Sequence, residues 1–168
     1  SQFRTFLLWE MDREYSEEKR RTVLGRGGLY YELKEDYSHA LECYTMAGDH
    51  SKVSELLVRN AELHPGMGHY SEMEKYYRSL PEAEILASPS LMQGMSMLCA
   101  LAMDYESSER WYGELQAFAE RCGRQDAAGK QARSRLAWLD ISLPQRGVNG
   151  LTETIPAVFR LLMNKEVT

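Results

Sequence analysis

Three pairs of tyrosines recur along the chain, and they constrain its fold more than any other feature of the sequence. The two members of each pair are seven residues apart, and the pairs are Tyr37 and Tyr44, Tyr70 and Tyr77, and Tyr105 and Tyr112. A spacing of seven places both rings on one stripe of an α-helix. The first members of the pairs are 33 and 35 residues apart, an interval typical of helix-turn-helix repeats that stack side by side. We therefore expect the rings to pack in the core of a repeat array.

The rest of the sequence also predicts helices. Apolar residues recur every three or four positions, and no alternating strand pattern competes with them. Side chains that favour the start of a helix precede several of these stretches, and they are Ser16, Asp36, Asp49, Ser88 and Asp104. Gly48 is expected to end a helix in the left-handed conformation. The sequence predicts an all-α fold of about nine helices with short connections, so that successive helices are antiparallel neighbours.

The first repeat matches the spacing of the tetratricopeptide pattern. The matching residues are Gly28, Tyr31, Tyr37, Ala40, Tyr44 and Ala47. Gly28 is predicted to be a contact position, because small residues let two helices approach each other. The counterparts of Gly28 and Ala40 are Ala61 and Met73 in the second repeat, and Ser96 and Ser108 in the third; a fourth repeat would use Leu139, Leu151 and Ile155. The prediction is a tetratricopeptide-like right-handed superhelix of antiparallel helical hairpins, with about four hairpins over residues 21–168.

Composition and charge disfavour several classes of protein. The 168 residues carry 20 basic and 25 acidic side chains, and the formal net charge of −5 argues against a nucleic-acid coat. The longest apolar run, residues 91–103, is shorter than the ~20 residues that a membrane-spanning helix needs. Three widely separated cysteines, Cys43, Cys99 and Cys122, argue for a reducing compartment. We expect a cytoplasmic protein and, since the chain starts without methionine or a signal segment, a piece of something longer.

Motifs for catalysis or metal binding are incomplete. The sequence contains no Gly-x4-Gly-Lys-Ser/Thr loop for phosphates, and Gly94-Met95-Ser96 lacks the second glycine of a nucleophile elbow. His39 and Cys43 are four residues apart on one helix, but they supply two metal ligands where a site needs three or four. Glu82 and Glu84 are predicted to lie in a loop, solvated and without a partner histidine. The sequence therefore predicts no enzyme activity and no metal site.

Two further clusters are predicted to have structural roles. The basic cluster consists of Arg121, Arg124, Lys130, Arg133 and Arg135. It lacks interleaved aromatic residues, so a solvated helix face or a dock for an acidic neighbouring domain is the favoured interpretation. The methionine-rich stretch near residue 95 could line an adaptable ligand surface, but a core helix is the commoner arrangement.

The order of several short segments resembles a known family. The segments are Ala40-Leu41-Glu42, Met46-Ala47, Gly48-Asp49, Leu56-Leu57, Tyr76-Tyr77-Arg78-Ser79-Leu80-Pro81-Glu82 and Ser88-Pro89-Ser90-Leu91. This order is similar to the helical sensor region of the MalT-like LuxR-family transcriptional regulators, which are signal-transduction ATPases with a C-terminal DNA-binding domain. Residues 1–20 resemble the linker helix that leaves the winged-helix segment preceding that region.

The resemblance implies a binding function for residues 21–168. This region would act as a ligand- or protein-binding sensor, with the ATPase and DNA-binding domains outside the fragment. It would need no cofactor of its own, although ATP is implied for the parent protein. Its expected partners are a small-molecule inducer or a protein, together with the neighbouring domains. Direct contact with nucleic acid or with a membrane is not expected.

The tetratricopeptide geometry also predicts where binding takes place. In such stacks the first helix of each hairpin lines the concave groove, and transfer of that geometry gives Leu29, Glu32, Glu55, Glu62, Gln93 and Met97 as groove residues. The alternative function is a tetratricopeptide-type scaffold that docks a peptide or partner protein and is unrelated to transcription. An enzyme is the third and least favoured class, because titratable groups are scattered along the chain.

Overall fold

The computed structural model describes residues 15–63, 68–123 and 125–146, and it contains eight α-helices and no strand within these ranges. The helices are α1 (Glu17–Leu33), α2 (Tyr37–Ala47), α3 (His50–Leu63), α4 (Gly68–Ser79), α5 (Glu82–Leu86), α6 (Pro89–Leu101), α7 (Tyr105–Arg121) and α8 (Ala127–Ser142), followed by a 3-10 turn at Pro144–Arg146. The all-helical prediction is confirmed.

Three of the predictions on the chain fall wholly or partly outside the described ranges. These are most of the linker helix at residues 1–20, the ninth helix after residue 147, and the fourth-repeat residues Leu151 and Ile155. The described residues form two compact units, one ending at Leu56 and one beginning at Leu57. None of the described helices is both long and apolar enough to cross a bilayer.

The predicted helix starts are confirmed by their hydrogen bonds. In each case the side-chain oxygen accepts from a backbone N–H three residues later, and the capping residues are Ser16, Asp36, Asp49, Ser88 and Asp104. Pro89 occupies the first turn of α6, where a missing N–H leaves no hydrogen bond unmade. Gly48 ends α2 with φ at 69°, the left-handed conformation expected of it.

Helix α5 corrects the prediction that Glu82 and Glu84 lie in a loop. These residues belong to a five-residue helix that packs on α6, and Ile85 is only 3% exposed. Glu82 forms an ion pair with Arg110 of α7. A five-residue helix with one buried apolar side chain shows too little periodicity to be detected in the sequence, because its stability comes from tertiary packing.

In the unit ending at Leu56, α1 and α2 pack at a close contact between a glycine and a tyrosine. A Cβ atom on Gly28 would lie 2.6 Å from Cε1 of Tyr44, whose ring is 3% exposed. The hydroxyl of Tyr44 donates to the Glu32 carboxylate at 2.9 Å, which fixes the ring in place. Gly28 is therefore the helix-contact position that the repeat pattern predicts, whereas Gly25 has no neighbouring atom within 4 Å of its Cβ position.

In the unit beginning at Leu57, α6 is enclosed by its neighbours. It packs against α4, α5, α7 and α8, and every residue from 89 to 100 is buried. Small side chains permit this enclosure: a Cβ atom on Gly94 would lie 2.5 Å from the ring of Tyr77, and Ser96 donates to the Ser108 carbonyl oxygen at 3.0 Å. Ser96 and Ser108 are the two small positions of the third repeat, and they meet across the α6/α7 hairpin. The methionine-rich helix is core, as the commoner arrangement predicts.

The tyrosine stripe is buried only in part. Tyr44, Tyr70 and Tyr77 are 3%, 4% and 1% exposed, which confirms core packing for them. Tyr105 is 42% exposed, so the prediction is wrong for this ring. It is the first residue of α7, and a side chain at a helix end has neighbours on one side only.

The end of the described chain is fixed to α7 and α8 by a polar cluster, here named the Arg146 network. Arg146 lies 3.6 Å from the ring centroid of Tyr112 and donates to Asp140 at 3.2 Å and to Glu109 at 3.1 Å. Gln145 donates to Ser108 at 3.0 Å. The hydrogen bond from Arg146 is the main reason that the pKa of Glu109 is lowered.

Replacing Gly28 by alanine is expected to destabilise the protein, whereas the same change at Gly25 is expected to stabilise it. An added methyl at residue 28 must displace the ring of Tyr44, at a cost of about 1–3 kcal/mol. At residue 25 the methyl meets nothing and improves helix propensity by about 0.5–1 kcal/mol. Urea denaturation of the two variants measures both effects, and equal effects at the two sites would contradict the described contact.

Replacing Glu109 by glutamine is expected to lower stability at neutral pH but not in acid. The pKa of Glu109 is lowered from its ordinary value of 4.5 in the folded chain, so its ionised form stabilises the fold above that pH and the contribution is lost as the pH falls through the folded-state pKa. The side chain is 41% exposed, so the loss at neutral pH should not exceed about 1 kcal/mol.

Denaturation of the wild type and of Glu109→Gln from neutral pH down to about pH 2 tests this sign. Glu114→Gln is the control, because Glu114 is on the same helix and outside the Arg146 network. A stability difference that grows as the pH falls would contradict the prediction.

Candidate functional site

A cavity of about 310 Å³ lies among α3, α4, α6 and α8 in the unit beginning at Leu57. Its lining residues are Ala61, Glu62, Tyr70, Gln93, Gln131, Ser134, Arg135 and Trp138, and it is named here the Gln93 cavity. A volume near 300 Å³ is at the lower end of the range of small-molecule sites in proteins. Both polar and aromatic side chains contribute to the lining.

Helix α8 supplies half of the lining residues. They are Gln131, Ser134, Arg135 and Trp138, and their spacing of three, four and seven places them on one helix face. Two other α8 side chains, Ala132 and Leu139, are completely buried in the core. One face of the helix thus lines the cavity, while Ala132 and Leu139 fix the helix in the core.

Gln93 has an unusual position in the cavity wall. Its side chain is 3% exposed, and its Oε1 atom has no hydrogen-bond partner among the described residues. A buried acceptor without a partner costs about 1–3 kcal/mol. This oxygen is itself buried, although Gln93 lines the cavity.

Arg135 supplies a positive charge to the same cavity. No carboxylate of the described ranges lies within ion-pair distance of it. Burial raises the pKa of Tyr70, and the nearby Arg135 guanidinium partly offsets that rise, which places the cation close to the phenol. The rings of Tyr70 and Tyr77 pack with centroids 6.3 Å apart. The cavity therefore offers a cation that has no anionic partner in the described part of the chain, beside the aromatic rings of Tyr70 and Trp138.

The predicted groove residues divide into three groups. Glu62 and Gln93 line the Gln93 cavity. Met97 is completely buried within α6 and does not line this cavity. Met97 is buried because four helices enclose α6, and the repeat pattern alone does not show this enclosure. The remaining three, Leu29, Glu32 and Glu55, belong to the unit ending at Leu56.

Of those three residues, Leu29 is exposed, whereas the two glutamates contact the same lysine. Leu29 is 50% exposed. Glu32 accepts from Tyr44 and lies 3.7 Å from the ammonium of Lys52, while Glu55 lies 3.0 Å from the same ammonium. The two glutamates are therefore joined through Lys52 in a structural ion-pair network.

The basic cluster does not act as one surface. Arg133 donates at 3.4 Å to the carbonyl oxygens of Ala119 and Gly123, at the end of α7, whereas Arg135 lines the cavity. Arg124 lies outside the described residues. Sequence reasoning grouped these arginines by proximity along the chain and so missed the cavity-lining face of α8. The three-four-seven spacing was the available signal.

The remaining chemical candidates show structural contacts. Nδ1 of His39 lies 2.7 Å from Asp36, and the His39 ring stacks on Tyr31 with centroids 5.0 Å apart. In the part of the chain that the structure describes, no three His, Cys, Asp or Glu side chains converge to hold a metal ion.

A second, more open pocket of about 400 Å³ is lined by α4, α5, α6 and α7. Its two arginines are both ion-paired, Arg78 with Glu74 at 2.7 Å and Arg110 with Glu82. It therefore offers less uncompensated charge to a ligand than the Gln93 cavity does.

Comparisons with models of known protein families, with curated proteins and with solved structures found no match for this chain. The assignment of a site therefore depends on the chemistry of the cavity.

Replacing Gln93 by methionine is expected to preserve or raise the free energy of unfolding. Methionine has a similar shape and removes the buried acceptor that has no partner, which costs about 1–3 kcal/mol as glutamine. Ser96→Ala on the same helix is the control, since it breaks a bond to Ser108 and should cost about 0.5–1.5 kcal/mol. Thermal and urea denaturation measure the stability of both variants. A larger loss of stability for Gln93→Met than for Ser96→Ala would contradict the cost assigned to the buried Gln93 oxygen.

Proposed function

We propose that this chain is the ligand- or protein-binding sensor region of a MalT-like LuxR-family transcriptional regulator, and that the Gln93 cavity is its ligand site. The ATPase and DNA-binding domains would lie outside the fragment, and the fragment itself would bind rather than catalyse. One observation carries the binding proposal: a cavity of about 310 Å³ is lined by Arg135, whose cation has no ion-pair partner among the described residues.

The order of helix contacts supports a tetratricopeptide-like arrangement. In the unit beginning at Leu57, α6 packs against α7 as a hairpin, and α8 packs against both. The small residues Ser96 and Ser108 meet at the position where the repeat pattern requires a close approach. The cavity is lined mainly from α3, α6 and α8, which are the first helices of successive hairpins in the predicted superhelix. A concave binding face would be built from those helices.

A ligand in this position could regulate the parent protein by changing the angle between hairpins. Residues of α3, α6 and α8 would contact the same molecule, so the bound state would favour one arrangement of these helices. Binding shifts a conformational equilibrium only by the difference in affinity for the two states. In stacked repeats a small change between neighbours alters the curvature of the whole array.

The alternative is a scaffold that docks a peptide or partner protein and has no role in transcription. Helix α1 favours it, because Leu29, Tyr30 and Leu33 are 50%, 58% and 77% exposed in their unit. The full-length reading frame distinguishes the two functions. An upstream phosphate-binding loop and a downstream helix-turn-helix would support the regulator, and other neighbouring domains would support the scaffold.

A ligand of the Gln93 cavity is expected to raise the melting temperature of the chain. At a concentration of 100 times Kd the stabilisation is about 2.7 kcal/mol, which corresponds to roughly 5–10 °C for a chain of this size. A thermal-shift screen of a metabolite library measures the effect.

Two tryptophan variants locate the binding. Ser134→Trp fills the mouth of the cavity from an exposed position on α8 and should abolish the shift. Ser71→Trp, at an exposed position of α4 that does not line the cavity, should preserve it. A library without any active compound, or a shift equally strong in Ser134→Trp, would contradict the proposed site.

A further inference from the structure

The Gln93 cavity presents groups of opposite charge to one molecule. Arg135 on α8 supplies a cation, and Glu62 near the end of α3 supplies a carboxylate. Within the described ranges neither side chain takes part in an ion pair. Gln93 lines the same cavity, but its Oε1 atom is buried, so the two charges are the groups that the cavity presents to a ligand.

We propose that the ligand of the Gln93 cavity is a small zwitterion of the α-amino acid type. Its carboxylate is held by Arg135, and its ammonium is held by Glu62. The side chain of the ligand lies against Tyr70 and Trp138. This inference rests on the proposed function only in requiring that the cavity binds a small molecule.

Charge excludes the simpler classes of ligand. A purely anionic molecule such as a phosphate would be held by Arg135 but would also face the carboxylate of Glu62, which repels it. A purely cationic molecule would face Arg135. A neutral apolar molecule would leave both charges of the cavity without a partner. A zwitterion pairs with both charges at once.

The size of the cavity agrees with this class. A volume of about 310 Å³ is at the lower end of the range of small-molecule sites in proteins. It therefore favours a small ligand such as a free amino acid over a nucleotide or a long peptide. The aromatic side chains Tyr70 and Trp138 further favour an amino acid with an apolar or aromatic side chain.

The test uses the 168-residue chain and the free L-amino acids as probes. Thermal shift identifies the active amino acids, and isothermal titration calorimetry then measures the Kd of each. The same amino acids with the carboxylate amidated, or with the amino group acetylated, are the matched probes. We expect either modification to weaken binding at least tenfold, because each removes one of the two charges that the cavity recognises.

Two pairs of variants assign the contacts. Arg135→Gln should weaken binding of the free amino acid at least tenfold and should leave the affinity for its amide unchanged. Lys130→Gln removes the same charge from an exposed position of α8 outside the cavity and should have no effect. Glu62→Gln should weaken binding several-fold, whereas Glu106→Gln, exposed on α7, should not.

The outcomes separate this inference from the function on which it rests. If no amino acid binds but another compound gives a shift that Ser134→Trp abolishes, the zwitterion is overturned and the ligand site stands. If an amino acid binds and its amide binds as tightly, the pairing with Arg135 is overturned. If no compound of any class binds, both the zwitterion and the ligand site are overturned.

Discussion

The close approach of α6 to its neighbours is the constraint on which the unit beginning at Leu57 depends. Four helices can surround α6 because two of its positions, Gly94 and Ser96, leave room for a tyrosine ring and for the backbone of α7. The larger side chains of methionine or leucine would not fit at these two positions without displacing the neighbouring helices. Enclosure in turn buries the whole face that carries Gln93, and it places that amide where water cannot easily replace a missing partner.

Gln93 and Ser96 show two ways of burying a polar group on one helix. Ser96 is satisfied by Ser108, so its hydroxyl adds to the stability of the hairpin. The Gln93 oxygen is left without a partner by the same packing. An unsatisfied buried acceptor is a cost that folding alone does not explain. This contrast separates a polar side chain that stabilises the hairpin from one whose burial is not compensated.

Local features of this fold could be predicted from the sequence, and features that depend on distant packing could not. Capping by Asp36 or Ser88 involves a side chain and an N–H three residues away, so the pattern is visible in the chain. The contact of Gly28 with Tyr44 followed from a repeat in which small and aromatic positions alternate. Helix α5 is stabilised by the burial of Ile85, and five residues of sequence do not show which side chain will be buried.

The candidate site was predictable to a smaller extent, for the same reason. Repeat geometry selected Glu62 and Gln93, because both lie on first helices of hairpins. It also selected Met97, which is one turn along α6 and is covered by other helices. The α8 residues were not singled out as a face because their charges were considered along the chain instead of around the helix axis.

The Arg146 network has a consequence for how far this chain tolerates trimming by proteases. Cleavage before Leu143 would remove a completely buried side chain together with the cation, and it would strand the Glu109 and Asp140 carboxylates without their shared counter-ion. The last turn of α8 would then fray, because it would lose its contacts with Leu143 and Arg146.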